Sequence, residues 1–450
     1  MQSQVFSRGL ALLVALAGFM ELFDGTVIQT ALPKMAADFQ VSSGTASIAM
    51  AAYFAAAAGA ISVCAWLTAR FGAKSTLAVS FLLFGLTSLG CGAAPSFTWL
   101  IVLRVLQGLS GAVMMTVGQI VILQNAPKDK LLNVTAYLVW PALAAPVLAP
   151  VVGGFITDNF GWQWLFWVNV PLSVIAAAAA LRLAPSLAAQ EVKPRLDVVG
   201  ALLLAVGVCT LIPALGFAGQ GGSVSRAIAI AIGLAALLGA VIWLRRAKSP
   251  LLDLNIFAVQ TFRASNTAGA LYRAVIASVP VVLTLLFQLK FGFSATLAGL
   301  VIMALFVGNL SIKPFANFLV RRRGYPFTIF WSTAMGVAVL AIFAMLNRDV
   351  SLWLLLPLLY VSGAARSIGF TAYMSMQYVD VPKAQMPQAS PLSGTTQQLA
   401  TAFGIAGFMG ILAVSSGDYR VTLIAMALVL LFSALMARRL PSTAGVAARG

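Results

Sequence analysis

Residues 65–75 read AWLTARFGAKS and residues 317–327 read NFLVRRRGYPF, with Gly72 opposite Gly324. The same offset of 252 residues sets VSSGTAS (residues 41–47) against FSATLAG (residues 293–299). Two loops in register at one offset imply that the later part of the chain repeats the earlier part. Long apolar runs flank both loops. About 20 apolar residues cross a bilayer as a helix, and fourteen such segments can be counted. They are 9–31, 46–69, 75–94, 97–123, 131–156, 161–183, 197–217, 226–245, 264–289, 295–318, 325–346, 352–374, 387–414 and 419–438, called segments 1 to 14 below. The repeat divides them into an N-terminal six-helix bundle (residues 1–190), an inserted two-helix hairpin with its flanking loops (191–262) and a C-terminal six-helix bundle (263–450). The expected fold is an all-α membrane protein of fourteen transmembrane helices, 6+2+6, with halves related by a pseudo-two-fold axis. Parallel halves of this kind are a transporter architecture that places the substrate between them, near the bilayer midplane.

Composition supports the membrane assignment. Of 450 residues, 61% are hydrophobic and 9% charged, with a mean hydropathy of +0.98; a soluble domain carries about 25% charged residues. The net charge of +17 does not point to nucleic acid, because the basic residues sit in short clusters between apolar runs. With the N-terminus inside, nineteen of the 28 Lys and Arg fall in cytoplasmic positions, among them Lys128, Lys130, Arg245, Arg246, Lys248 and the run Arg321–Arg323. Lys34, Arg226, Lys290, Arg348 and Arg420 fall outside, and four lie within segments. That bias predicts a multi-pass protein of the plasma (inner) membrane with both termini cytoplasmic. The run from Leu10 to Ala31 reads as a retained span, too long for a cleaved signal. Cys64, Cys91 and Cys209 all lie in apolar segments and read as small packing residues. They form neither a disulfide framework nor a metal-ligand spacing.

Several stretches then resemble a known family. FDGTVIQTALP from Phe23 is similar to the first-helix signature of drug:proton antiporter family 2, the fourteen-helix multidrug efflux branch of the major facilitator superfamily. LIVLRVLQG from Leu100 resembles the superfamily's fourth-helix motif and supplies Arg104, Gln107 and Gly108. APVVGG from Ala149 resembles the end of the exporters' fifth-helix motif, with Pro150, Gly153 and Gly154. WLTARFGAK from Trp66 is similar to the loop motif after the second helix, with Arg70, Gly72 and Lys74. VIMALFVGNLSIKP from Val301 and AARSIGFTA from Ala364 resemble one subgroup of that family. Two departures stand out: Ala69 occupies the place of the loop motif's usual acid, and Pro141, Pro146 and Ala149 replace upstream glycines in segment 5. The resemblance implies proton-coupled export of amphipathic small molecules by alternating access, driven by the proton gradient without a cofactor. Protons and a small-molecule substrate are the partners it implies. A periplasmic adaptor is a partner the sequence does not name.

An ionisable side chain inside a membrane helix costs about 2.5–3.5 kcal/mol on insertion scales and is a functional candidate by default. Glu21 and Asp24 are the two acids that qualify, three residues apart on one face of segment 1. Arg104, Arg273, Lys313 and Arg366 are the four cations. The chain contains no histidine, so proton coupling falls to Glu21 and Asp24, with Arg104 opposing or pairing them. The competing reading is a static carboxylate–arginine pair that locks segment 1 to segment 4. Arg273 lies 252 residues from Glu21, so the halves present opposite charges at equivalent places. Arg273, Arg366 and Lys313 are the candidate substrate-binding cations, although Lys313 is close enough to its helix end to snorkel. Four cations against two acids make an exporter of organic anions, or of one dedicated metabolite, the rival transport reading. Tyr53, Tyr137 and Trp140 are candidate substrate-path aromatics, while Gln107 and Gly108 read as close-packing residues. Trp99, Trp162, Trp164 and Trp353 fit an outer interfacial belt. An enzyme would need a nucleophile–base pair or a metal cluster, and neither pattern is present.

Overall fold

The structure, a computed structural model, describes residues 8–125, 131–185, 196–217 and 222–437; of residues 8, 123–125, 131–142 and 223 it describes the backbone alone. All the regular elements described are helical, as expected where lipid offers no partner to a backbone N–H or C=O. Segments 1 to 6 are the helices Arg8–Val27, Ile48–Phe71, Ala73–Gly92, Phe97–Asn125, Leu131–Asn159 and Asn169–Leu183. The inserted segments 7 and 8 are Val198–Gly216 and Ser223–Arg246. Segment 9 is Gln260–Leu285 followed by a π turn, Leu286–Lys290. Segments 11 to 14 are Tyr325–Met345, Leu352–Val379, Met386–Val414 and Tyr419–Ala437. Segment 10 is broken into Ala295–Ser311 and Lys313–Arg323, bent by 45°. Pro314 at the start of the second piece supplies no N–H to continue the first, which accounts for the bend.

Among the described residues, twelve helices are long and apolar enough to cross a membrane, and the bent pair of segment 10 makes thirteen. The expected fourteenth is segment 5, whose described apolar part is the shorter helix Leu143–Asn159.

The sequence repeat is a repeat of geometry. Ser42 caps its helix by accepting from the Thr45 N–H at 3.0 Å, and Ser294 does the same with Leu297 at 3.1 Å. Gly72 and Gly324 each end one helix and begin the next at φ 77° and 82°. Thr76 and Thr328 then donate their hydroxyls back to the two glycine carbonyls, at 2.7 Å in both cases. Packing repeats as well. Segments 2 and 4, 3 and 4, 3 and 6, and 1 with 4, 5 and 6 are in contact; so are 10 and 12, 11 and 12, 11 and 14, and 9 with 12, 13 and 14. Across the seam, segment 5 packs on 10 and segment 13 on 2, again an equivalent pair. Segments 7 and 8 pack on each other, and segment 7 also touches segments 2 and 13. Only 22% of the segment 8 window is buried, against 72% for segments 1 and 9, so the hairpin lies on the lipid-facing side of the bundle.

Three of the four belt tryptophans are well exposed: Trp99, Trp164 and Trp353. Trp162 departs from that expectation; it is 4% exposed and donates its indole N–H to Asp38 at 2.6 Å. The polar handle of the ring is satisfied inside the protein, so the ring has no need of the interface.

Gly72 and Gly324 have backbone angles (ψ 152° and 172°) that carry a side chain only under strain of order 1–3 kcal/mol. Gly72→Ala and Gly324→Ala are each expected to lower the melting temperature of the purified protein, with the double variant showing the sum; no change in either would mean that these turns relax without cost.

Candidate functional site

Segments 1, 2, 4 and 5 face segments 9, 10, 12 and 13 across a cavity of about 1050 Å³. Its wall runs from Gln29 and Glu21 to Ala65, Thr68 and Ala69 at one end of segment 2, and to Pro387 and Ser390 on segment 13. The cavity therefore reaches the end of the bundle that holds the 70–74 loop. At the other end the halves are closed against each other. The carboxylate of Asp158 accepts from the Thr296 N–H (2.8 Å) and hydroxyl (2.7 Å) and pairs with Lys34 at 3.2 Å. Gln288 donates to the Thr30 carbonyl at 3.0 Å. Beneath this clasp the backbones touch. A Cβ on Gly154 would collide with the Ala295 carbonyl, and one on Gly299 with the Pro150 carbonyl. Gly153 lies against segment 1, where a Cβ would come within 2.7 Å of the Val27 carbonyl oxygen. The Pro150–Gly154 stretch thus carries the close approach on which this end depends.

The structure separates the two acids of segment 1. Asp24 is 1% exposed and outside the cavity. One carboxylate oxygen meets Arg104 Nη1 at 2.5 Å; the other accepts from Gln107 Nε2 (3.1 Å) and Asn169 Nδ2 (3.0 Å). Arg104, fully buried, also donates to Gln107 Oε1 (2.7 Å) and, through Nε, to the Ala49 carbonyl (3.3 Å), with Tyr53 under its guanidinium at 4.4 Å. Gln107 reaches on to Ser88 at 2.7 Å. One network therefore joins segments 1, 2, 3, 4 and 6. Glu21, one helical turn away, lies on the cavity wall and accepts from Gln398 of segment 13 at 3.4 Å.

Arg273 and Arg366 line the same cavity from segments 9 and 12. Arg273 Nε donates to the Thr401 hydroxyl at 3.2 Å, and its guanidinium lies over Phe370 at 4.9 Å. Arg366 lies over Phe306 at 5.3 Å. Among the described residues the ion pairs are Lys34–Asp158 and Arg104–Asp24, so neither cavity arginine is salt-bridged. Lys313 sits at the bend of segment 10, half-buried and outside the cavity lining. Tyr53 is part of the Arg104 network and does not line the cavity. The side chains of Tyr137 and Trp140 lie outside the described residues. Gly108 packs so closely that a Cβ would collide with the Tyr53 carbonyl. Arg70 and Lys74 flank Gly72 at the end where the cavity emerges, and Ala69 is in the lining itself.

Several residues of this site were not singled out from sequence. Gln397, Gln398 and Thr401 form a polar strip of the wall, signalled only by the run TTQQ (residues 395–398) inside an otherwise apolar segment. Asn169 and Asp158 gave no local signal, since their partners lie more than a hundred residues away.

Two repeated helical half-bundles around a charged cavity that reaches one end only define a secondary transporter of the membrane, not an enzyme. The chain belongs to the Major Facilitator Superfamily, whose family model matches residues 14–405. It is 32% identical over 395 residues to MdtD of Pectobacterium atrosepticum, a protein named for multidrug resistance, covering 87% of this chain and 84% of that one. It is 31% identical over 403 residues to HsrA of Haemophilus influenzae, named as a transport protein, covering 89% and 86%. Its fold is similar to the xylose transporter XylE of E. coli in a partially occluded inward-open conformation, with TM-score 0.64 at 15% identity over 96% of this chain and 99% of that one. The nucleoside transporter NupG is similar too, with TM-score 0.63 at 14% identity over 95% and 98%.

The Asp24–Arg104 geometry has a direct consequence. Removing one partner of a buried pair leaves the other charge uncompensated, at about 3–5 kcal/mol. Asp24→Asn is expected to lower thermal stability and yield sharply, and Asp24→Asn combined with Arg104→Gln to recover part of both. Equal stability of wild type and the single variant would show that Arg104 is solvated by other means.

Proposed function

We propose that this protein is a proton-coupled exporter of amphipathic small molecules that works by alternating access. The observation that carries the reading is the position of Glu21, a carboxylate only 8% exposed on the wall of a cavity that reaches one end of the bundle. A proton and the cationic group of a substrate would each neutralise that carboxylate, so the two exclude one another, which is what exchange across the membrane requires. Because both also bias the inward–outward equilibrium, each alters the binding of the other. The Asp24–Arg104 pair supplies the fixed charge behind Glu21 and the rigid floor of the first half. The names of the relatives support a multidrug-type substrate range, and the mixed apolar and polar cavity wall is compatible with one.

In this reading the membrane contains fourteen crossings, divided 6+2+6 at about residues 190 and 262. The repeated packing of segments 1–6 and 9–14 and the lipid-side position of the hairpin support that division. The excess of basic residues on one side supports both termini in the cytoplasm of an inner membrane. The cavity then opens inward, and the Asp158–Thr296–Lys34 clasp is the closed outer gate.

Glu21→Gln is expected to abolish substrate-driven proton counterflow in proteoliposomes while leaving the melting temperature near wild type, because among the described residues its side chain is held by one long hydrogen bond, from Gln398, and by no ion pair within salt-bridge distance. Normal counterflow in that variant would remove Glu21 from the coupling mechanism. A reporter placed at Arg226, in the first turn of segment 8, should be accessible only from outside the cell; labelling from the cytoplasm would overturn the topology.

A further inference from the structure

We propose that Arg273 and Arg366 form an anion-binding subsite in the cavity, and that the transported molecule is zwitterionic: a cationic group meets Glu21 and an acidic group meets the two arginines. The inference rests on the exporter reading above and names its substrate class.

Three observations carry it. First, the C-terminal half is unbalanced in charge. Segments 9 to 14 contain no Asp or Glu, since Asp349, Asp380 and Asp418 lie between them. Two guanidiniums nevertheless project into the cavity from that half. Second, those guanidiniums are poorly satisfied by the protein. Among the described residues, Arg366 Nη1 is buried with no hydrogen-bond partner and Arg273 has one side-chain bond, from Nε to Thr401. Arg104, although its Nη2 also lacks a partner, is paired with Asp24 and donates to Gln107 and the Ala49 carbonyl; among the described residues neither cavity arginine has an ion pair or a bond to a helix carbonyl. A buried cation without such partners is unfavourable until water or a ligand compensates it. Third, what surrounds them suits a ligand with an acidic end and an apolar body. Gln397, Gln398 and Thr401 offer neutral polar contacts beside the guanidiniums, while Phe54, Phe306 and Ile405 line the same space.

Anion recognition alone would not fit proton exchange. A purely anionic substrate would bind better once Glu21 took up a proton, so proton and substrate would travel together. Competition with the proton needs positive charge at Glu21, whereas the guanidiniums need negative charge. A zwitterion satisfies both walls at once. Arginine suits the acidic end because its fork can donate two parallel hydrogen bonds to a carboxylate.

The test uses purified full-length protein in nanodiscs and a matched pair of probes with one aromatic body, an amino acid and its methyl ester. Binding of each is measured by calorimetry, and substrate-driven proton counterflow is followed in parallel in proteoliposomes. The wild type should prefer the zwitterion over the ester by roughly ten- to a hundredfold, the worth of a charge-assisted hydrogen bond. Arg366→Gln and Arg273→Gln should each reduce that preference, and Arg366→Lys should keep more of it than Arg366→Gln. Equal binding of the two probes by wild type would overturn the proposal, as would a preference that survives both Gln substitutions. The wild-type comparison and the Lys variant keep the test decisive if a Gln variant fails to fold. A clear preference without any proton counterflow would support the subsite and sink the exporter reading instead. Counterflow with no preference would do the reverse.

Discussion

Arg104 is the side chain around which the N-terminal half is organised. A guanidinium at full burial in a lipid-embedded bundle is costly, and Arg104 offsets that cost by directing Nη1 at Asp24 and Gln107 and Nε at the Ala49 carbonyl, while its Nη2 has no partner among the described residues. Asp24 in turn holds Asn169 of segment 6, and Gln107 holds Ser88 of segment 3. The result is a polar knot inside an apolar bundle. It fixes the rotation of segment 1 about its axis, and that rotation points Glu21, one turn away, at the cavity. The chemistry proposed for Glu21 thus depends on the placement of the Asp24–Arg104 pair. Buried ion pairs add little net stability compared with apolar packing; here the pair specifies orientation.

The two halves share a backbone plan and differ in how they treat charge. In the first half the buried cation is salt-bridged to Asp24 and bonded to Gln107, with Nη2 alone left without a partner among the described residues. In the second, the equivalent bundle has cations but no acids, and its guanidiniums rest on Phe370 and Phe306 beside open space. Cation–π contact compensates part of the desolvation, worth about 2 kcal/mol or more where water is excluded, but leaves the hydrogen-bonding edges facing the cavity. A symmetric scaffold therefore carries an asymmetric site, with one wall fixed and the other unsaturated.

Much of this was legible in the sequence because the periodicity imposed by a membrane is coarse. Apolar runs of about 20 residues, a 252-residue offset and paired glycines survive without knowledge of any contact, and Gly72 and Gly324 adopt nearly the same backbone angles at the predicted turns. The intramembrane charges were legible for a related reason: each is costly, so each marks a place where the structure must respond. What sequence could not give was the direction in which each side chain points. Glu21 and Asp24, three residues apart, looked like one site and became a cavity wall and a buried knot. Lys313, counted with the arginines, sits at the bend of segment 10 and is not part of the cavity lining. Asp158 and Asn169 find partners only when distant segments meet, and no local pattern records that.

The closed end is held differently from the interior of either half. The halves touch there through glycine backbone at Gly154 and Gly299, through the Gln288–Thr30 bond, and through a clasp whose lysine side chain is 47% exposed. An exposed ion pair of that kind contributes about 1 kcal/mol or less, whereas apolar side chains of both halves, among them Val27, Ile28, Val282 and Phe287, belong to one buried cluster. By contrast, the contacts within each half, such as Gly108 against Tyr53 or the Arg104 knot, are deeply buried and specific. In the alternating-access reading the polar clasp is the least costly part of this seam to open, and each half keeps its own core while the shared apolar cluster parts. Under the proposed mechanism, the charge of a ligand or proton in the cavity shifts the balance between the two arrangements only by as much as it interacts differently with each.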